Sequence, residues 1–130
     1  MRIVRNDEIE FILSLQEMMG NKQDHPWLGF IFYSILNEEN ICVGGGGLFP
    51  SLDGFTSEIV YAIFDSYRNI GLGANLIKLL HEEAIKIFPD ITNIRAYIKK
   101  ENIASQKLIY KMGYKKIGED SYILEINKRG

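Results

Sequence analysis

The chain of 130 residues is poor in cysteine, proline, tryptophan and histidine, with one, three, one and two of each. A lone cysteine, Cys42, excludes an intramolecular disulfide framework and a thiolate-rich zinc site. His25 and His81 lie far apart and form no metal-binding spacing, so no metal is expected. No apolar run approaches the roughly 20 residues of a membrane span, and Met1–Glu8 has nothing like a signal peptide's apolar core. No membrane contact is expected, and a reduced, cytoplasmic setting is the default expectation. An excess of charge of one sign is missing too. Fifteen Lys and Arg stand against 17 Asp and Glu, for a net charge of −2. A nucleic-acid binder usually carries a basic excess, so no nucleic acid is expected as partner, while a cationic substrate remains compatible. Repeats, low-complexity tracts and linkers are absent, which leaves one domain over residues 1–130.

What is present is ordinary for a globular domain: 46% hydrophobic, 25% charged and 12% aromatic residues. Met1–Arg5 reads as a short strand. Asp7 is placed to cap a helix, with Glu10 as its reciprocal partner, and the helix runs through Ile12 and Leu15 to Met19, with Gly20 as its stop. Phe30–Leu36 is aromatic and β-branched, hence a strand. A turn at Asn37–Asn40 leads to a returning strand from Ile41. That strand runs into Gly44–Gly47, where four glycines permit either a bulge or the close approach of another backbone or ligand. Glu58–Phe64 is the next strand. Ala74–Phe88 is a helix with Leu76, Leu80, Ala84 and Ile87 on one stripe, ended by Pro89. Asn93–Lys99 is a strand. A shorter helix starts at Glu101 or Asn102 and stops at Gly113. Tyr114–Ile117 and Tyr122–Ile126 close the chain. The order β-α-β-β-β-α-β-α-β-β predicts an α/β (α+β) fold, a mixed and mostly antiparallel sheet of six to seven strands flanked by helices.

Two segments stand out chemically. Arg68-Asn69-Ile70-Gly71-Leu72-Gly73 lies between a strand and a helix, where glycines free backbone N–H groups to face an anion and the helix adds its positive end. A dinucleotide fingerprint would need a glycine where Leu76 stands, and no Gly-Lys-Ser/Thr follows, so neither a Rossmann nor a P-loop reading holds. The second segment is Asn102–Tyr114. On a helix, Ala104, Leu108 and Met112 share a face, and Tyr110 points nearly opposite. A tyrosine hydroxyl, with an ordinary pKa of about 10, is a competent acid toward a basic leaving group.

Together these segments resemble the GCN5-related N-acetyltransferases (GNAT). Arg68–Gly73 is similar to the R/Q-x-x-G-x-G/A signature. Asn102, Ala104-Ser105, Tyr110 and Gly113-Tyr114 are similar to the later N-x-x-S…Y-x-x-x-G-F/Y segment. Glu58–Tyr61 resembles the family's central strand. The resemblance runs from Glu58 to Ile117, and the N-terminal half fits in element order only.

The resemblance implies acetyl-CoA as acyl donor. It assigns the pyrophosphate to the backbone of Arg68, Asn69, Ile70, Gly71, Leu72 and Gly73. The pantetheine arm falls to the strand end at Ile63 and Phe64, and further cofactor contacts to Asn102 and Ser105. It implies direct attack by a primary amine in a ternary complex, with a main-chain N–H near Ile63–Phe64 stabilising the oxyanion. Tyr110 is implied as the acid that protonates the departing thiolate, and Glu58 or a water as the base. Tyr97 stands where some relatives carry a glutamate instead. The acceptor is a small-molecule or peptide amine of unspecified identity, and a homodimer is compatible with the family's habits. The alternatives are a non-catalytic CoA-binding regulatory module, or transfer from another acyl-CoA.

Other residues are read more plainly. His81 lies at the edge of its helix's apolar face and reads as a surface histidine. His25-Pro26-Trp27 reads as a loop that anchors its tryptophan. Cys42 reads as a small buried hydrophobe. Few residues separate Met19 from Phe30, where the family commonly places a further helix. The acceptor groove is therefore expected to be open or completed by a second subunit.

Overall fold

A computed structural model of the chain describes residues 1–19, 27, 29–68 and 70–126. In chain order the elements are β1 (Arg2–Arg5), α1 (Ile9–Met18), β2 (Ile31–Leu36), β3 (Cys42–Pro50), β4 (Thr56–Ile63), α2 (Leu72–Ile87), β5 (Asn93–Tyr97), α3 (Ile103–Lys111), β6 (Lys115–Lys116) and β7 (Ser121–Glu125). The strands form one seven-stranded sheet in the order β1-β2-β3-β4-β5-β7-β6. Only the β4–β5 pair is parallel. This is the mixed, mostly antiparallel sheet that the sequence predicts.

Strand alternation gives the sheet two apolar faces. One packs Ile35, Leu48, Ile59, Ile94, Ala96 and Tyr122 against Leu76, Ile77, Leu80 and Ala84 of α2 and Ile109 of α3. Each fully buried aliphatic side chain there contributes about 1.5–3 kcal/mol. The other packs Phe32 and Ala62 against Ile12 and Leu15 of α1. The tetraglycine in β3 lies between these layers. A Cβ on Gly45 would sit 2.7 Å from Phe11 and 2.9 Å from Leu15 of α1, and one on Gly46 would sit 2.8 Å from Leu80 of α2. The bare strand therefore lets helices approach from both sides. The register shift falls beside the glycines, where Val43 is passed over between Ile35–Gly44 and Leu36–Cys42.

Several local expectations are corrected. Glu8, not Asp7, stands at the N-cap of α1, and it makes no side-chain cap bond. Asp7 instead pairs with Arg5 at 3.1 Å, while the Asn6 side chain accepts from the Glu8 N–H at 3.0 Å. Helix α2 begins at Leu72, two residues early. In α3 the fully buried residue is Ile109, with Leu108 and Met112 only partly buried and Ala104 exposed. Cys42 is half-buried, its thiol 3.4 Å from the Gly44 carbonyl. Gly20, His25, Pro26 and most of the segment before Phe30 lie outside the described residues, so the expectations placed there have no structural counterpart. No described helix is long and apolar enough to cross a membrane.

Candidate active site

The site is built on a divergence of the only parallel pair. Strands β4 and β5 pair from Thr56–Asn93 to Ile59–Ala96, but β4 continues to Ile63 without that partner. The gap is filled by a cleft of about 910 Å³. It is lined by Glu58, Ile59, Val60 and Tyr61 of β4, by Tyr97, Ile98 and Lys99 at the end of β5, and by Asn102 and Ser105 at the start of α3. A second cavity of about 360 Å³ shares Tyr61, Arg68, Asn102 and Ser105 with it, and continues to Ile63, Gly71, Leu72 and Gly73. Strand alternation puts Glu58 and Val60 on the α1 face of the sheet and Ile59 and Tyr61 on the α2 face. The passage therefore runs through the sheet, from one face to the other.

The backbone along this gap can be assigned. The Phe64 N–H bonds the Val43 carbonyl at 2.9 Å, and the Val60 and Ala62 carbonyls lie against Gly46 and Gly44 of β3. The even-numbered residues thus spend their main-chain groups on β3, and alternation turns those of Tyr61 and Ile63 toward the gap. The Phe64 N–H is thereby taken up by β3 and does not face the gap. Arg68 is aligned across the same edge, its Nε donating to the Ile63 carbonyl at 3.0 Å.

At the far end, Gly71 occupies the left-handed region (φ +81°) directly before α2, a conformation that glycine adopts without strain. Gly71 has no side chain to cap this terminus, so among the described residues its first-turn N–H groups keep their capacity for an anion. Gly73 packs against Leu108. Ile70 is 64% exposed and lines neither cavity. Asn69 lies outside the described residues. Asn102 caps α3, its side chain accepting from the Ser105 N–H at 3.1 Å, which fixes both residues at the junction of the cavities.

Glu58 lies at the opposite end, 3.9 Å from Arg95. Tyr110 does not join it. The tyrosine is half-exposed, packs edge-on against buried Tyr122 at 5.5 Å, and lines neither cavity. The spacing explains this: two residues separate Tyr110 from Gly113 where the pattern has three, so the pattern's tyrosine position is Ile109, which faces the core.

Of the tyrosines that line the cleft, Tyr61 holds its hydroxyl buried, while Tyr97 is exposed. The Tyr61 hydroxyl is sealed from solvent and, among the described residues, has no partner in good hydrogen-bond geometry, Ser105 approaching it without completing a bond. Burial pushes its pKa up to about 12, with Ser105 partly offsetting the rise. The acceptor end also holds Trp27, Phe30 and Phe49. Trp27 is positioned by its N–H, which donates to buried Gln16 at 2.7 Å. His81, expected at the surface, is mostly buried and shares a 2.6 Å hydrogen bond with the Tyr114 hydroxyl. Burial lowers its pKa to about 4 and raises that of Tyr114 well above the tyrosine range.

The acetyltransferase (GNAT) domain model matches residues 6–115. The chain belongs to the GNAT acetyltransferases. As a GNAT protein it is an acyltransferase of a family that uses acetyl-CoA. Solved structures agree in fold. A GNAT acetyltransferase from Staphylococcus aureus superposes with a TM-score of 0.68 at 21% identity, covering 97% of this chain and 99% of that one. The dodecameric spermidine N-acetyltransferase of Vibrio cholerae gives 0.74 at 12% identity, covering 95% and 91%. A Bacillus anthracis protein solved in complex with acetyl coenzyme A gives 0.65 at 20%, covering 78% and 65%. At these identities the likeness is one of GNAT fold. No curated protein matches by sequence.

Proposed function

We propose that this chain transfers an acetyl group from acetyl-CoA to a primary amine, with both substrates bound together. The observation that carries this reading is the continuous passage through the sheet, from the uncapped N-terminus of α2 to the Glu58 carboxylate. The residues present fit the donor. An uncapped helix terminus suits a pyrophosphate. The Tyr61 and Ile63 backbone suits an extended amide arm, and an orphaned hydroxyl stands midway.

Acetyl-CoA supplies an activated thioester. The first turn of α2 would hold its pyrophosphate, with Arg68, Asn102 and Ser105 along the arm. The Tyr61 or Ile63 N–H, rather than that of Phe64, is the one turned toward developing negative charge in the gap. Glu58 accepts the proton that the attacking amine must lose. As the nitrogen–carbon bond forms, the carbon–sulfur bond breaks, and the Tyr61 hydroxyl donates a hydrogen bond to the departing sulfur. Holding both reactants in place is worth up to ~7–11 kcal/mol of the barrier.

The test has two readouts. Acetyl-CoA at 100 times its Kd should stabilise the fold by about 2.7 kcal/mol, visible as a raised Tm. Thiol release should then appear with at least one member of an amine panel. Binding without release from any amine would move the chain to a non-catalytic CoA-binding module. Absence of binding would remove the donor assignment itself.

A further inference from the structure

The acceptor end of the cleft has a composition that narrows the amine, on the reading that this chain is an amine acetyltransferase. Phe49 is the cross-strand partner of Glu58, so the ring and the carboxylate stand side by side on one face of the sheet. Phe30 stacks on Phe49 with centroids 4.9 Å apart and planes 27° apart, and Trp27 packs on Phe30 at 5.3 Å. The result is a continuous wall of rings that ends at one carboxylate, with Tyr97 lining the same cleft from β5.

Charge along the cleft is nearly balanced among the described residues. Glu58, Glu101 and Asp120 face Arg68 and Lys99, and Arg95 lies 3.9 Å from Glu58. Glu101 and Asp120 line the same cleft from the loops that follow β5 and precede β7. Among the described residues Glu58 is the carboxylate paired across strands with a ring of the wall. A polyamine lying along the rings would place its inner ammonium groups against carbon. A hydroxyl-rich amine would bury its polar groups against carbon, which is unfavourable without hydrogen-bond partners. A flat apolar body gains both ring stacking and removal from water, and the single ammonium gains Glu58 and the adjacent ring faces.

We infer that the acceptor is a primary monoamine on an aromatic or similarly flat apolar body, which stacks on Phe30 and Phe49 while its nitrogen meets Glu58. The same chemistry occurs in a free arylalkylamine and at the N-terminus of a peptide that begins with phenylalanine.

Thiol release is measured with acetyl-CoA and, in turn, 2-phenylethylamine, a phenylalanine-initiated peptide, spermidine and kanamycin. The expected result is a kcat/KM for one of the two aromatic amines at least ~10-fold above that for spermidine and kanamycin, the scale of discrimination by an apolar pocket. Which of the two aromatic amines leads identifies the source. In Phe30→Leu and Phe49→Leu, which keep bulk but lose the ring face, KM for the aromatic amine should rise several-fold, with acetyl-CoA stabilisation unchanged. Turnover of spermidine or kanamycin equal to or above that of both aromatic amines overturns the inference and leaves the proposed function standing. So does an unchanged amine preference in both variants. No release from any amine, with acetyl-CoA still binding, overturns both.

Discussion

Acidification should weaken this fold through His81 before the carboxylates respond. Carried on α2 and bonded to Tyr114 at 2.6 Å, the imidazole stays neutral to about pH 4 in the folded chain. In the unfolded chain it takes up a proton near pH 6.5. Between those values the unfolded state binds more protons, so stability falls as pH falls. The full contribution is present above pH 6.5; about 2 kcal/mol is lost by pH 5 and about 3 kcal/mol by pH 4. A substantial part of a domain's usual 5–15 kcal/mol is therefore at stake. The assay is urea unfolding at pH 7, 6 and 5, run beside His81→Gln, which keeps a hydrogen-bonding group for Tyr114 but does not titrate. The wild type should lose about 2 kcal/mol more than the variant over that range. Parallel losses in the two proteins would refute the reasoning, because the proton uptake would then belong to other groups.

Two further outcomes follow from the geometry. Gly46→Ala puts a methyl 2.8 Å from Leu80 and 2.7 Å from the Val60 carbonyl. It should lower stability by about 1–3 kcal/mol; a urea midpoint equal to that of wild type would show that the layers are not packed as described. Tyr61→Phe removes a buried hydroxyl that completes no hydrogen bond of good geometry among the described residues, so Tm should hold or rise. In the same variant kcat should fall about 10- to 100-fold, the worth of a hydrogen bond to a charged group. Tyr110→Phe, changed outside the cleft, should turn over as wild type does. A loss of turnover in Tyr110→Phe and not in Tyr61→Phe would reverse the leaving-group assignment.

The element order was legible because it rests on local pattern. The α2 stripe of Leu76, Leu80 and Ala84 is buried as the helical period requires, and Asn102 caps α3 as its position suggests. Gly71 needs its left-handed turn where the sequence reads a loop. What was not legible depends on partners distant in sequence. His81 sits at the margin of its helix stripe, and only the placement of Tyr114, 33 residues away, makes it interior. In α3 one residue of helix is 100° of rotation, enough to exchange Tyr110 for Ile109 at the core. The edge of β4 that faces the gap is set by pairing with β3, which is why Ile63 and Phe64 look equivalent in sequence and are not. Phe30 and Phe49 become neighbours of Glu58 only once the β2–β3–β4 register is fixed.

A passage that crosses a sheet gives its two visitors separate doors. On the proposed function, the donor would lie along the α2 side and the acceptor against the rings of Phe30 and Phe49, so both could be bound at once. The acetyl group would then cross the sheet without either carrier crossing it.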